Sequence, residues 1–245
     1  ECPDAPLLLY VRSSTPAKEI FNRAPSISIV GTRDMTLYGK NCCERIVAAL
    51  SAAQKRPMVV SGLAIGVDIT ALPTVAVLPV GIDGVYPGIH RTSAGKIAAS
   101  EGSALVTDFP PGTAIFKSNF LRRNRIIAGL SQATILVESR LKGGGTLTCR
   151  LASGYGREVF SVPGRLDDIH SMGCNLLIGE RIAGAIHSME DLCDSLGLGL
   201  LDRRRKEDLS REIEERYGTV LDNADLCLAK IIALKVKRER GISLD

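Results

Sequence analysis

At 245 residues, 45% hydrophobic and 24% charged, the chain carries enough apolar sequence to bury a substantial core, which fits an α/β domain of ordinary size plus an extra piece and excludes disorder throughout. The formal net charge of +4 permits a polyanionic partner without arguing for one, so the local distribution of charge must decide. Seven scattered cysteines without a CxxC pair argue against a disulfide frame or a zinc site, and no run approaches the roughly 18 apolar residues of a membrane span, so reduced thiols and a cytoplasmic location are expected.

The amino-terminal residues surround one apolar run, Leu7 to Val11, which reads as a short lead-in strand; the Pro-rich start suggests that sequence precedes it. Ser26 to Val30 is a β-branched run suited to a buried strand, and it ends at Gly31-Thr32-Arg33. A helix is expected from about Gly39 to Ala53, with Cys43, Ile46, Val47 and Leu50 at core-facing spacing. Strand, glycine turn and helix make half of a βαβ unit, but the turn is not GxGxxG, so the dinucleotide fingerprint is absent. Arg33 stands where open parallel sheets place their ligands; pairing with a surface carboxylate is the competing reading.

Met58 to Ser61 is the next strand, running into a turn with Gly62 and Gly66 whose backbone amides could approach an anion. Few residues then separate Ser61 from the strand that opens at Thr74, whereas a parallel crossover carrying a helix needs a dozen or more. Either no proper helix joins the two strands or residues after Thr70 are missing, and the second is the favoured expectation.

A helix from roughly Arg91 to Ser100 and a strand from Ser103 to Thr107 lead to Asp108-Phe109-Pro110-Pro111-Gly112-Thr113, a stiff, non-helical exit. The stretch after it, FKSNFLRRNRIIAGL from Phe116 to Leu130, sets Lys117, Arg122, Arg123 and Arg125 among Phe116, Asn119, Phe120 and Asn124, with no acid between Thr113 and Gln132. Cations interleaved with aromatic and amide groups can hold a polyanion backbone and its bases together. The exit is expected to keep this stretch in a loop, with a helix from about Arg123 to Leu130. Cations at a helix amino end oppose the macrodipole unless an anion sits there, which favours a ligand site over a merely solvated basic face.

Ala133 to Glu138 is a further strand, followed by Lys142-Gly143-Gly144-Gly145-Thr146 before a helix from Leu147 to Tyr155. Three glycines before a helix form the strongest anion-cradling turn in the chain, although tight packing of helix on sheet would also call for glycine. A strand at Glu158 to Val162, an apolar helix around Cys174 to Gly179, a short strand at Ala185 to His187 and a helix from Met189 complete the pattern. Alternating strands and helices argue a doubly wound α/β sheet over residues 1–197, mostly parallel. Residues 198–245 read as a charged, small helical appendage with an amphipathic segment ending in KVKRERG.

Taken together, Ile29-Val30-Gly31-Thr32-Arg33, Ser61-Gly62-Leu63-Ala64 with Gly66 and Asp68, Phe109-Pro110-Pro111-Gly112, Asn119-Phe120 with Arg123-Asn124-Arg125-Ile126-Ile127, and Gly156-Arg157-Glu158-Val159 with Val162-Pro163-Gly164 closely resemble the DNA-processing protein A family, also called Smf. The resemblance runs from about Pro6 to Leu196. It implies an extended Rossmann-like domain that binds single-stranded DNA, forms a homodimer, protects incoming DNA and helps load the RecA recombinase in natural transformation. On this reading the DNA-binding residues are Arg33, Gly62, Lys117, Asn119, Phe120, Arg122, Arg123, Asn124, Arg125, Lys142, Gly143, Gly144 and Gly145. Arg33, Lys117, Arg123 and Arg125 would hold phosphates and Phe120 would stack on a base.

The chain departs from the family pattern in three places: the helix after the SGLA turn is largely missing, Ile65 stands where arginine is common, and the glycine turn reads GGGT. No stretch of these residues reads as the amino-terminal helical domain of many members, and the carboxyl part does not read clearly as a winged helix. Three histidines without metal-ligand spacing, no GxSxG elbow and no Walker lysine give little support for catalysis, a metal or a cofactor. The enzyme alternative is a nucleotide-monophosphate phosphoribohydrolase of the lysine-decarboxylase-like group, which resembles Gly143 to Thr146 but follows it with a glutamate where this chain has Leu147-Thr148-Cys149-Arg150.

Overall fold

Valine- and isoleucine-rich runs form strands here because helices cover the sheet on both faces, so successive side chains of a strand enter two different cores. The computed structural model describes residues 2–22, 25–71 and 74–199. Within them lie eight strands, β1 (Tyr10–Arg12), β2 (Ser26–Val30), β3 (Met58–Ser61), β4 (Val75–Val77), β5 (Ala104–Thr107), β6 (Ala133–Leu136), β7 (Glu158–Ser161) and β8 (Gly184–Ala185). They form one sheet in the order β1-β5-β4-β3-β2-β6-β7-β8, parallel throughout except for the antiparallel edge pair of β1 and β5. The helices are α1 (Ala17–Phe21), α2 (Leu37–Ala52), α3 (Val67–Thr70), α4 (Arg91–Ala99), α5 (Lys117–Leu130), α6 (Gly144–Gly154), α7 (Met172–Gly179) and α8 (Met189–Ser195), with a 3-10 turn at Gly88–His90.

One core gathers Ile20, Ile126, Ile127, Cys149, Ala152, Cys174 and Leu177 from α1, α5, α6 and α7 against Val30, Val60, Val77 and Val106 of the sheet. The opposite core sets Cys43, Ile46, Leu50, Val67 and Leu192 from α2, α3 and α8 against Ile27, Ile29, Val59 and Ile135. On the same face, Ala94 of α4 packs with Leu63, Ala76, Leu78 and Leu105. The expected doubly wound, mostly parallel α/β sheet is the observed one. Chain order runs outward from β2 through β3, β4 and β5 and then returns to β6 on the other side, which creates a topological switch point between β2 and β6.

Two expectations require correction. Helix α5 begins at Lys117, not near Arg123, so the basic stretch forms its first turns instead of a loop. The stiff exit is used up earlier: Gly112 takes φ 75°, and Thr113 folds back through its N–H and hydroxyl onto the Pro110 carbonyl at 3.2 and 2.6 Å. Helix α6 begins at Gly144, so two of the three glycines lie inside its first turn. Among its described residues the crossover from β3 to β4 holds a single helical turn, α3, and the strands still pair in parallel at Val60↔Val75 and Ser61↔Ala76. Leu72 and Pro73, where missing sequence was expected, lie outside the described residues, as does the appendage beyond Gly199. Leu198 is still fully buried in the second core.

Candidate functional site

A crevice of about 260 Å³ opens at the carboxyl ends of β2 and β6, the place where doubly wound sheets hold ligands. Arg33, Phe120, Arg123, Asn124, Lys142 and Gly143 to Gly145 all line it, so segments about 110 residues apart in sequence converge there. Gly62 lies on an adjoining cleft, while Lys117, Asn119, Arg122 and Arg125 fall outside the lining of both.

Arg33 is exposed on the loop between β2 and α2, and its guanidinium carbon lies 4.6 Å from the centre of the Phe120 ring. Glu138, just beyond the end of β6 and 1% exposed, organises that loop. Its carboxylate accepts from the Thr36 N–H at 2.8 Å and the Thr36 hydroxyl at 2.5 Å, and its carbonyl accepts from the Thr32 N–H at 2.7 Å. Thr36 in turn caps α2 by accepting from the Gly39 N–H at 3.1 Å. A buried carboxylate that accepts two hydrogen bonds from Thr36 therefore fixes the base from which Arg33 projects. No sequence pattern flagged Glu138, because its partners lie about a hundred residues away.

Arg123 points inward. It is 3% exposed and donates from Nη1 to the Val77 carbonyl at 3.0 Å. Asp68, 7% exposed, accepts from the Gly62 N–H at 3.0 Å. Burial lowers the Arg123 pKa to about 10, partly offset by the attraction of Asp68, and raises that of Asp68 against the opposing pull of Arg123 and two backbone N–H groups. Any Cβ on Gly62 would overlap the Arg123 guanidinium and come 2.5 Å from Asp68 Oδ2. Glycine at this turn thus makes room for the buried Arg123 guanidinium beside the Asp68 carboxyl, and its amide is already engaged by Asp68.

Asn119 is buried and ties the first turn of α5 to the preceding loops, donating to the carbonyls of Pro79 and Ala114 at 3.0 Å each. Asn124 donates to the Gly144 carbonyl at 3.5 Å and so links α5 to the start of α6. Asp108 pairs with Arg125 at 2.5 Å and Arg122 at 3.3 Å, and Arg125 also donates to the Asp4 carbonyl. The basic helix start, free of acids in its own sequence, is compensated by Asp68 and Asp108 from neighbouring elements. Lys117 stands exposed at the first position of α5.

Across the crevice, Gly143 precedes α6, its N–H bonded to Thr146 Oγ1 at 3.2 Å. A Cβ on Gly145 would lie 2.7 Å from Leu136 Cδ1 and 3.2 Å from Gly31 Cα, so glycine here permits the helix to touch the exit of β2. Close packing on the sheet therefore accounts for Gly145, and Gly143 to Gly145 line the crevice at the amino end of an eleven-residue helix. Lys142 and Arg140 are exposed beside it, and Arg140, which the sequence did not single out, pairs with Asp34 at 3.1 Å.

Burial raises the thiol pKa of Cys43 to about 12 and of Cys174 and Cys193 to about 11, which marks them as unreactive core residues. Among the described residues no group of three His, Cys, Asp or Glu side chains converges to hold a metal, and no helix is long and apolar enough to cross a membrane.

The profile of the DNA recombination-mediator protein A family matches residues 1–197. The chain belongs to that family. Protein Smf of Synechocystis is 36% identical over 216 residues, covering 84% of this chain and 53% of that protein. DNA processing protein DprA of Streptococcus pneumoniae is 32% identical over 188 residues, covering 74% of this chain and 64% of that protein. The chain thus spans between about half and two thirds of the length of these curated relatives. The solved structure of the S. pneumoniae protein superposes with a TM-score of 0.70 at 31% identity, over 78% of this chain and 67% of that one. The Helicobacter pylori protein, whose structure bears on its unique single-stranded DNA binding mode, gives 0.71 at 28% identity, over 79% and 88%.

Proposed function

We propose that this chain binds single-stranded DNA along the β2/β6 crevice and presents it, acting as a recombination mediator. The observation that carries the reading is the placement of Arg33, stacked on Phe120, across from the amino terminus of α6 with Lys142 beside it. Cations, an aromatic ring and helix amides then face one groove, which suits phosphates and unpaired bases together. Arg33, Lys117 and Lys142 are the phosphate contacts of this reading, with amides of the α6 start as neutral donors and Phe120 as a stacking surface. Arg123, Asn119 and Asn124 support the site from within, and Arg122 and Arg125 hold the Asp108 loop. The family resemblance extends the proposal to a homodimer that protects incoming DNA and helps load RecA in natural transformation.

Binding of an unstructured single strand, the matching duplex and a nucleoside monophosphate to one sample tests this reading. Single strand should bind at least tenfold more tightly than either of the others. Equal affinity for duplex would overturn it, and release of free base from the monophosphate would instead support the phosphoribohydrolase alternative. Against that alternative, α6 carries Leu147 and Thr148 where such an enzyme needs its glutamate.

A further inference from the structure

We propose that Tyr86 is a second base-stacking platform, holding a nucleobase in the cleft next to the main crevice; this rests on the single-strand reading above. The cleft is lined by Arg33, Gly62, Ala64, Ile65, Tyr86, Pro87 and Phe120, so Arg33, Ala64 and Phe120 belong to both depressions and form the wall between them. Tyr86 and Phe120 meet edge to face, with centroids 5.6 Å apart and planes at 72°. Arg33 already lies over the Phe120 ring, whereas Tyr86 is 40% exposed with Ile65 exposed near it. Tyr86 therefore adds solvent-accessible aromatic surface beside Phe120, and a single strand reaching past Arg33 meets it.

The loop carrying Tyr86 is pinned on either side. His90 Nδ1 bonds the Leu63 carbonyl at 2.8 Å, fixing the loop end to the turn after β3, and the Asp83 carboxylate accepts from the Gly112 N–H at 3.0 Å. Leu63 is itself fully buried with φ 56°, a left-handed conformation that aims its carbonyl at His90. A pre-positioned ring loses little conformational freedom when a base stacks on it. Because the two rings are nearly perpendicular, bases stacked on them cannot be parallel, and the strand must turn between its two contacts. A flexible single strand makes that turn readily, and a duplex does not.

The test compares oligo-dT with an abasic phosphodiester of the same length, on wild type, Tyr86→Ala and Tyr86→Phe. Tyr86→Ala should weaken oligo-dT binding about five- to a hundredfold while leaving the abasic chain within about twofold, and Tyr86→Phe should restore the oligo-dT affinity. The chain has no tryptophan and Tyr86 is one of five tyrosines, so the part of the tyrosine-emission quenching by oligo-dT that disappears in Tyr86→Ala reports the contact. Unchanged oligo-dT affinity, or equal weakening of both oligomers, overturns the proposal. A wild type that binds neither oligomer refutes the single-strand reading itself, a distinguishable result.

Discussion

Arg123 shows how residue type and residue role can part company. Its position in a run of cations suggested a phosphate ligand, but its guanidinium is buried against Val77 and coupled to Asp68 across Gly62. Removing one member of such a pair leaves the other uncompensated, so Arg123→Met should lower stability by about 3–5 kcal/mol at neutral pH. The sign with pH follows from Asp68, whose carboxyl is raised in the folded state: folding favours its protonated form, so this contribution is lost as pH rises. Without Arg123 that loss deepens, and the penalty should be smallest near pH 4 and grow toward neutrality in urea unfolding curves. A pH-independent penalty would show that the two groups are not coupled. Gly62→Ala should be destabilising by about 1–3 kcal/mol through overpacking, because its Cβ has no room beside Arg123.

At the scale of elements, the loop from β2 to α2 and the start of α6 are set by contacts that sequence order hides. Glu138→Gln replaces a carboxylate that accepts from both the Thr36 N–H and hydroxyl with an amide that can accept with one end only. It should cost about 1.5–3 kcal/mol in thermal or urea unfolding and also weaken single-strand binding, since Arg33 loses its fixed base. The salt dependence of binding should stay as in wild type, because no phosphate contact is removed; a reduced slope would contradict the positioning role. Gly145→Val should push α6 off β2 and reduce binding even where the protein remains folded, as oligonucleotide titration of the variant would show. Strand and helix identities were readable because both-face burial writes β-branched runs and helical faces write periodic ones. The starts of α5 and α6 were not, because a folded-back Thr113 and a helix-borne pair of glycines depend on what packs around them.

For the whole molecule, the distribution of compensated and free charge sets the response to salt. Four phosphate contacts, the expectation for Arg33, Lys117, Arg123 and Arg125, would give a log-log slope of about −2.8 for a single strand. With Arg123 buried on the Val77 carbonyl and Arg125 paired with Asp108, Arg33, Lys117 and Lys142 remain as the exposed cations of the proposed path, and the expected slope is about −2. Lys142→Ala should reduce its magnitude by about 0.7 and Arg125→Ala should leave it unchanged, as a titration between low and moderate salt would show. A slope of about −2.8 that falls in Arg125→Ala would restore Arg125 to the contact surface.

The sequence by itself determined the class of fold, the succession of its elements and the segments that meet at the switch point, because apolar periodicity and glycine-bounded turns are local properties of the chain. It also pointed to Arg33, Phe120, Asn124, Lys142 and the glycine turn, all of which line one crevice. Only the tertiary structure decided which cations face solvent. Asp68 is remote from the basic run in sequence and Asp108 stands on the exit loop just before it, yet both lie beside its side chains in space, and charge compensation depends on distance through space, not along the chain.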